Sequence, residues 1–273
     1  MEKDNKLNLF IIILPTLLCI LVFFLPNYVQ NLLTLNLAQL NVWSWFTSSF
    51  VHFGFQHIFM NLLLYLFFTL FAYFIIPDNE RKKFYILIIL LIIIVPLITF
   101  TLISYLRYIG KFPESLIFQK GFSAISSSSL GILGISISKK LFHIFNKLKE
   151  RKYFFYRLSG FTFFPAIFIM TWPLSALLGI IILIFWILLT IEITLEISKQ
   201  YNIHRTIKTL EKKEKLILIP CLFMFLFGAS FLIPVNPLIN GAVTNSLAHL
   251  TGFVVGYVST YIFLRKAHNE KSI

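Results

Sequence analysis

Long apolar runs separated by short polar segments dominate this sequence. Candidate runs cover 7–25, 57–76, 84–104, 122–138, 158–172, 174–195, 215–233 and 245–264. A helix rises about 1.5 Å per residue, so roughly 20 apolar residues cross a hydrocarbon core about 30 Å thick. The pattern predicts an all-α polytopic membrane protein with about eight membrane segments.

The pair 158–172 and 174–195 differs from the other runs. Its first member is short, and Trp172-Pro173 separates the two. This pair is therefore predicted to be an inserted helical hairpin, either two full spans or a re-entrant segment. The remaining runs, in 7–138 and 215–264, form the predicted core. The polar sequence between runs is too short for a soluble domain, so 1–273 is expected to be one membrane-embedded domain.

The distribution of positive charge predicts the orientation. The net charge is +13, but the Lys and Arg residues lie in short segments beside the apolar runs, which is not typical of a nucleic-acid-binding protein. Of the 24 Lys and Arg residues, all but Arg107, Lys111 and Lys120 fall in segments that the positive-inside bias places in the cytoplasm. We therefore expect a multi-pass protein, in the cell membrane, with both termini cytoplasmic.

This orientation brings three groups of polar residues to one depth. The runs beginning near 57, 122 and 245 would all cross from outside to inside, so that their first turns lie together below the outer surface. The polar residues at these starts are His57 and Asn61, Gly121 and Ser123, and His249.

Ser123 and His249 are the candidate nucleophile and general base. Serine is ordinary in membrane helices, where it bonds to the backbone or packs, and Ser126 to Ser129 are expected to do so. A histidine inside a span is costly and usually functional or paired. Two small-residue stripes predict close packing of the two helices that carry Ser123 and His249. The stripes are Ser123, Ser127 and Gly131, and Gly252 and Gly256.

His57 and Asn61 are four residues apart and share one helix face. With the Ser123 amide they are suitable donors for an oxyanion, although hydrogen bonding between helices is the alternative role. His52 is expected to fix a loop. No metal site or cofactor is predicted, because the histidine spacing does not match a zinc helix and no H-E-x-x-H occurs.

Together these groups resemble the rhomboid family of intramembrane serine proteases. The family patterns are H-x-x-x-x-H-x-x-x-N, G-x-S-G or G-x-S-A, and A-H-x-x-G-x-x-x-G, in that order. Here they read His52, His57 and Asn61; Gly121, Ser123 and Ala124; Ala248, His249, Gly252 and Gly256. Trp43 to Phe50 also looks like the family's first-loop segment, but serine follows Trp43 where the family commonly has arginine.

The resemblance implies a six-helix rhomboid-like core, to which this chain adds the hairpin at 158–195. It also implies a Ser123–His249 dyad, with His57, Asn61 and the Ser123 amide as the oxyanion hole. The substrates would be transmembrane helices of other membrane proteins, cleaved within the lipid bilayer. Segment 26–56 would lie partly in the outer interface, and 234–241 would form a cap over the site.

Two alternatives belong to other functional classes. The first is a non-catalytic rhomboid-like protein that binds membrane helices; keeping both Ser123 and His249 argues against it. The second is a small-solute transporter, which would show an internal repeat and polar residues near the midplane. The sequence shows neither feature.

Overall fold

The chain is mostly helical. The computed structural model describes residues 2–38, 41–110, 118–146, 159–160, 162–164, 167, 176–200, 225, 238–239, 242–243 and 246–269. The helices are α1 (Glu2–Phe23), α2 (Asn27–Leu33), α3 (Ser44–Thr47), α4 (Phe55–Ile75), α5 (Arg81–Tyr108), α6 (Ser123–Asn146), α7 (Ala176–Gln200) and α8 (Ser246–Asn269). Single 3-10 turns at Ser48–Phe50 and Asp78–Glu80 precede α4 and α5.

Three of the described helices are long and apolar enough to cross a membrane. They are Phe55–Ile75, Arg81–Tyr108 and Leu247–Leu264, close to the predicted spans 57–76, 84–104 and 245–264. Shorter apolar helices cover Leu9–Phe23 and Ile180–Ile193. These findings indicate a helical membrane protein.

The other predicted spans have different outcomes. The run 122–138 corresponds to α6. This helix contains many serines and is not among the three described helices that are long and apolar enough to cross a membrane. The second half of the predicted hairpin, 174–195, overlaps α7. Most of 158–172 and nearly all of 215–233 lie outside the described residues, so the eight-segment count stays a prediction.

Short strand pairs accompany the helices without changing the all-α class. Two antiparallel pairs of two-residue strands are present, β1 (Leu35–Asn36) with β2 (Phe118–Gln119), and β3 (Leu238–Ile239) with β4 (Ala242–Val243). Backbone groups of loops near a membrane surface need partners, and strand pairing supplies them. The first pair ties the segment after α2 to the segment that enters α6.

Helices α6 and α8 are in direct backbone contact. A Cβ on Gly252 would collide with the carbonyl oxygen of Ala124, and one on Gly256 would collide with that of Ser128. From the first contact to the second, the position moves forward by four residues on each helix, so α6 and α8 run parallel. A Cβ on Gly131 would in turn lie 2.5 Å from the backbone nitrogen of Tyr257.

The glycines thus allow the close approach that the sequence predicts, but the α6 stripe is different. Ala124, Ser128 and Gly131 face α8, whereas the predicted stripe was Ser123, Ser127 and Gly131. The helix begins at Ser123, and the face turned toward α8 is rotated by one residue from the expected one.

Helix α4 packs on another side of α6, also in parallel. The Ser126 hydroxyl donates to the Asn61 carbonyl at 2.7 Å, and Gly121 lies against the His57 ring. Phe122, fully buried, packs edge-on against Tyr65 at 5.1 Å between ring centroids. The three helices α4, α6 and α8 therefore run parallel, and the start of α6 lies beside the first two turns of α4 and of α8.

Polar contacts also join the helices at the far end from these starts. The ammonium group of Lys139 on α6 forms an ion pair with Glu80 and donates to the Leu264 carbonyl of α8 at 3.1 Å. This arrangement connects α6, α8 and the turn before α5. Nearby, the Tyr257 hydroxyl donates to the Ser159 carbonyl, and Thr162 bonds to the Ser138 hydroxyl at 2.8 Å.

The backbone contact predicts a cost for adding one methyl group. Gly256→Ala should destabilise the protein by about 1–3 kcal/mol, because the Ser128 carbonyl leaves no room for a Cβ. Thermal unfolding in detergent measures the effect. Val258→Ala, on an exposed position of the same helix, is the matched control. Equal stability of Gly256→Ala and wild type would contradict the close packing.

Candidate active site

Ser123 is the first residue of α6 and is partly buried. The amides just before it are already used: Gly121 N–H donates to the Ser48 carbonyl at 3.0 Å, and Phe122 N–H donates to His52 Nε2 at 3.3 Å. The Ser123 amide belongs to the first helical turn, whose N–H groups have no acceptor within the helix. It is therefore a suitable donor for a negative oxygen at the serine.

His52 fixes the loop before α4 to the start of α6. Because Nε2 accepts from Phe122, the proton resides on Nδ1, which donates to the Phe50 carbonyl at 3.3 Å. Burial lowers the pKa of His52 to about 3, and the positive charge of protonated His57 contributes. His52 is thus a neutral structural residue, the loop-fixing role expected from the sequence.

Gly121 makes room for His57. A Cβ on Gly121 would lie 2.9 Å from Cε1 and 3.4 Å from Nε2 of the His57 ring. The backbone there has φ +133°, a conformation that L side chains rarely adopt. Any other residue would displace the imidazole from the start of α6, so the glycine sets the distance between His57 and the segment leading into Ser123.

Asn61 lies one turn after His57 on α4 and is 5% exposed. Its backbone carbonyl accepts the Ser126 hydroxyl, whereas its side-chain Nδ2 is buried with no hydrogen-bond partner in the described part of the chain. A buried amide donor without an acceptor costs free energy. An oxygen that becomes negative during a reaction would supply that acceptor.

His249 lies in the first turn of α8 and is 6% exposed. It precedes Gly252 by three residues and so shares the face that contacts Ala124. The α6–α8 contact thereby places His249 at about the level of Gly121, in the segment that leads into Ser123. No hydrogen bond is seen between the Ser123 hydroxyl and the His249 ring; catalytic hydrogen bonds are often long before substrate binds.

The serines that follow Ser123 are engaged differently. The hydroxyls of Ser127, Ser128 and Ser129 donate to the carbonyls of Ser123, Ile125 and Ser126 at 2.6–2.8 Å. Ser126 donates to Asn61. These bonds within and between helices are the ordinary packing role expected for this group, and they distinguish Ser123 from its neighbours.

Lys120 is a feature that the sequence did not single out. Its ammonium group lies over the Phe53 ring, 4.3 Å from the centroid, and Phe53 stacks on the His57 ring at 6.2 Å. Burial lowers the pKa of Lys120. The nearby lysine makes the electrostatic potential around His57 more positive, which favours an oxyanion. In the sequence, only its position directly before Gly121 indicates that Lys120 lies near the candidate site.

The predicted cap is described in part. Leu238–Ile239 pairs with Ala242–Val243, so the end of segment 234–241 enters a short hairpin that precedes α8. Residues 234–237 and 240–241 lie outside the described residues. Segment 26–56 contains α2, β1 and α3 and carries exposed aromatic side chains, with Trp43 70% exposed.

Comparisons with protein families, characterised proteins and solved structures find no match to this chain. The rhomboid resemblance therefore stays a prediction that depends on the motifs and on the geometry of these residues.

The buried, neutral His52 predicts a pH dependence of stability. The pKa is about 3 in the folded protein and near 6.5 when the histidine is exposed. Between these values the unfolded chain binds a proton that the folded chain does not, so stability is complete above pH 6.5 and falls as the pH drops toward 3. Chemical unfolding at several pH values measures this slope.

Replacing His52 should remove part of that slope. His52→Asn is expected to be less stable at pH 7, since Phe122 N–H loses its acceptor, and less sensitive to acid below pH 6.5. His268→Asn, in the basic tail, is the matched control. The same acid sensitivity in His52→Asn and wild type would show that His52 is not the titrating group.

Proposed function

We propose that this chain is an intramembrane serine endopeptidase of the rhomboid type, which cleaves transmembrane helices of other membrane proteins. The observation that carries the proposal is the parallel packing of α4, α6 and α8, in which the start of α6 lies beside the first two turns of the other two helices. His57 and Asn61, Ser123, and His249 lie in the first two turns of these three helices.

In the proposed reaction, the Ser123 hydroxyl attacks the carbonyl carbon of the scissile peptide bond. His249 accepts the hydroxyl proton and then donates it to the departing amine, leaving an acyl ester on Ser123. A water molecule, deprotonated by His249, hydrolyses the ester and regenerates the serine. A neutral imidazole is required for the first step, so activity should fall as the pH drops through the titration range of histidine.

The oxyanion of each tetrahedral intermediate would be stabilised by three donors. These are the Ser123 amide, the Asn61 side-chain amide and the His57 imidazole. The buried Asn61 Nδ2, which has no hydrogen-bond partner among the described residues, supports this role because it leaves a donor free for an acceptor that forms only during reaction. Bonding between helices, the alternative for Asn61, is made by its backbone carbonyl.

The substrate would enter from the lipid and unwind locally. A continuous helix bonds all of its backbone groups internally, so a scissile carbonyl reaches Ser123 only where that bonding is broken. Helix-weakening residues are therefore expected near the cleaved bond. The chain's own residues supply all the chemistry, and no cofactor is invoked.

The dyad predicts the effect of removing either side chain. Ser123→Ala and His249→Ala should each abolish cleavage of a membrane-anchored test substrate by purified protein. Because nucleophile and base act as one unit, the double variant should be no worse than the single variants. A chelator should have no effect.

Ser127→Ala is the matched control, since that hydroxyl is bonded to the Ser123 carbonyl on the same helix. It should retain most of its activity. All variants need to unfold at temperatures near that of wild type. Cleavage that survives Ser123→Ala would instead favour the non-catalytic helix-binding protein.

A further inference from the structure

We propose that Trp45, Ser104 and Arg107 form a binding site for the phosphate group of an anionic phospholipid at the outer end of α5. The Nε1 of Trp45, the Oγ of Ser104 and the Nη1 of Arg107 are all buried, and none has a hydrogen-bond partner in the described part of the chain. All three groups are donors. This site is separate from the proposed catalytic residues, and the inference does not depend on protease activity.

Packing brings the three donors to one region. Trp45 packs against a buried cluster on which α5, β1 and the start of α8 converge; its members are Leu35, Leu37, Phe100 and Ile103, with Leu247 alongside. Ser104 directly follows Ile103, and Arg107 lies one turn further along α5. Long side chains on a helix point toward its N-terminus. Arg107 therefore shares a helix face with Ile103 and Ser104, four and three residues before it.

The burial of Arg107 Nη1 is the unusual feature. A long cationic side chain near a membrane surface normally extends its charged group into water. Here one guanidinium nitrogen is instead covered, without an acidic partner among the described residues. A buried charged donor needs an acceptor with negative charge. Phosphate oxygens fit a guanidinium fork in a bidentate manner and have lone pairs left for the Trp45 and Ser104 donors.

The surroundings favour a lipid over a soluble anion. Tyr105 and Tyr108 flank the arginine and are 58% and 88% exposed, and Trp43, which directly precedes α3, is 70% exposed. Exposed tyrosine and tryptophan side chains are typical of the level of lipid headgroups.

The local charge favours an anionic headgroup. The three predicted outer segments, 26–56, 105–121 and 234–244, contain three cations, Arg107, Lys111 and Lys120, and one acid, Glu114. The potential at this end of the protein is therefore positive, and it attracts a headgroup with net negative charge more than a zwitterionic one.

Thermal unfolding of delipidated protein in neutral detergent tests the site. Phosphatidylglycerol should raise the unfolding temperature in a saturable, concentration-dependent manner, and native mass spectrometry should detect the bound lipid. Phosphatidylcholine at the same mole fraction should bind at least about fivefold more weakly, consistent with an anionic preference worth about 1 kcal/mol per nearby cation. Inorganic phosphate should produce no shift at equal concentration.

Three variants separate the donors from the fold. Arg107→Gln should weaken phosphatidylglycerol binding by about tenfold or more, and Arg107→Lys should restore it only in part because the fork is lost. Trp45→Phe keeps the ring and removes only the N–H, so it should weaken binding several-fold with little change in basal stability. Lys82→Gln, which removes an exposed cation at the other end of α5, is the matched control.

Three results would overturn the inference. The first is equal phosphatidylglycerol affinity in wild type, Arg107→Gln and Trp45→Phe. The second is equal binding of phosphatidylcholine, which would remove the anionic preference. The third is an equal shift with inorganic phosphate, which would assign the site to a soluble anion. If Arg107→Gln fails to fold, the Trp45→Phe comparison still decides the matter.

Discussion

The backbone contact between α6 and α8 is the constraint on which the candidate site depends. Gly252 and Gly256 have no side chain, so the carbonyls of Ala124 and Ser128 come within reach of the α8 backbone. In lipid, the burial of apolar surface contributes little to the association of helices, so such van der Waals contact is a major source of stability. It also fixes the axial register of the two helices, and this register places His249 at about the level of Gly121, just before the first turn of α6.

The loop side of the site is held by a second set of interactions. Two hydrogen bonds, from Gly121 to Ser48 and from Phe122 to His52, attach the entry to α6 to the segment before α4. The β1–β2 pair extends this attachment. His57 then occupies the space left by the missing side chain of Gly121. The start of α6 is thus confined by α8 on one side and by α4 with its preceding loop on the other, a rigid setting suited to polar residues that act together.

Much of this arrangement could be predicted because it is encoded locally. The lengths of the apolar runs predicted the bounds of α4, α5 and α8 to within a few residues, and the glycine spacing on α8 predicted close packing. The prediction of which α6 face contacts α8 was wrong by one residue, since Ala124 and not Ser123 contacts Gly252. The pattern of apolar residues does not define the rotation of a helix about its axis that finely. The His52–Phe122 bond, the Lys139–Glu80 ion pair and the Lys120–Phe53 contact join residues distant in sequence. Such pairs depend on three-dimensional packing, which a single sequence does not reveal.

The central claim is that Ser123 is a nucleophile activated by its position between these helices, and labelling with a fluorophosphonate probe tests it most directly. Such a probe reacts covalently with an activated serine and not with an ordinary one. Wild type and Ser126→Ala, whose lost hydroxyl bonds to Asn61, should both be labelled. Ser123→Ala should not be labelled, and His249→Ala should be labelled far more slowly. Equal labelling of wild type and Ser123→Ala, or no labelling of folded wild type, would contradict the account.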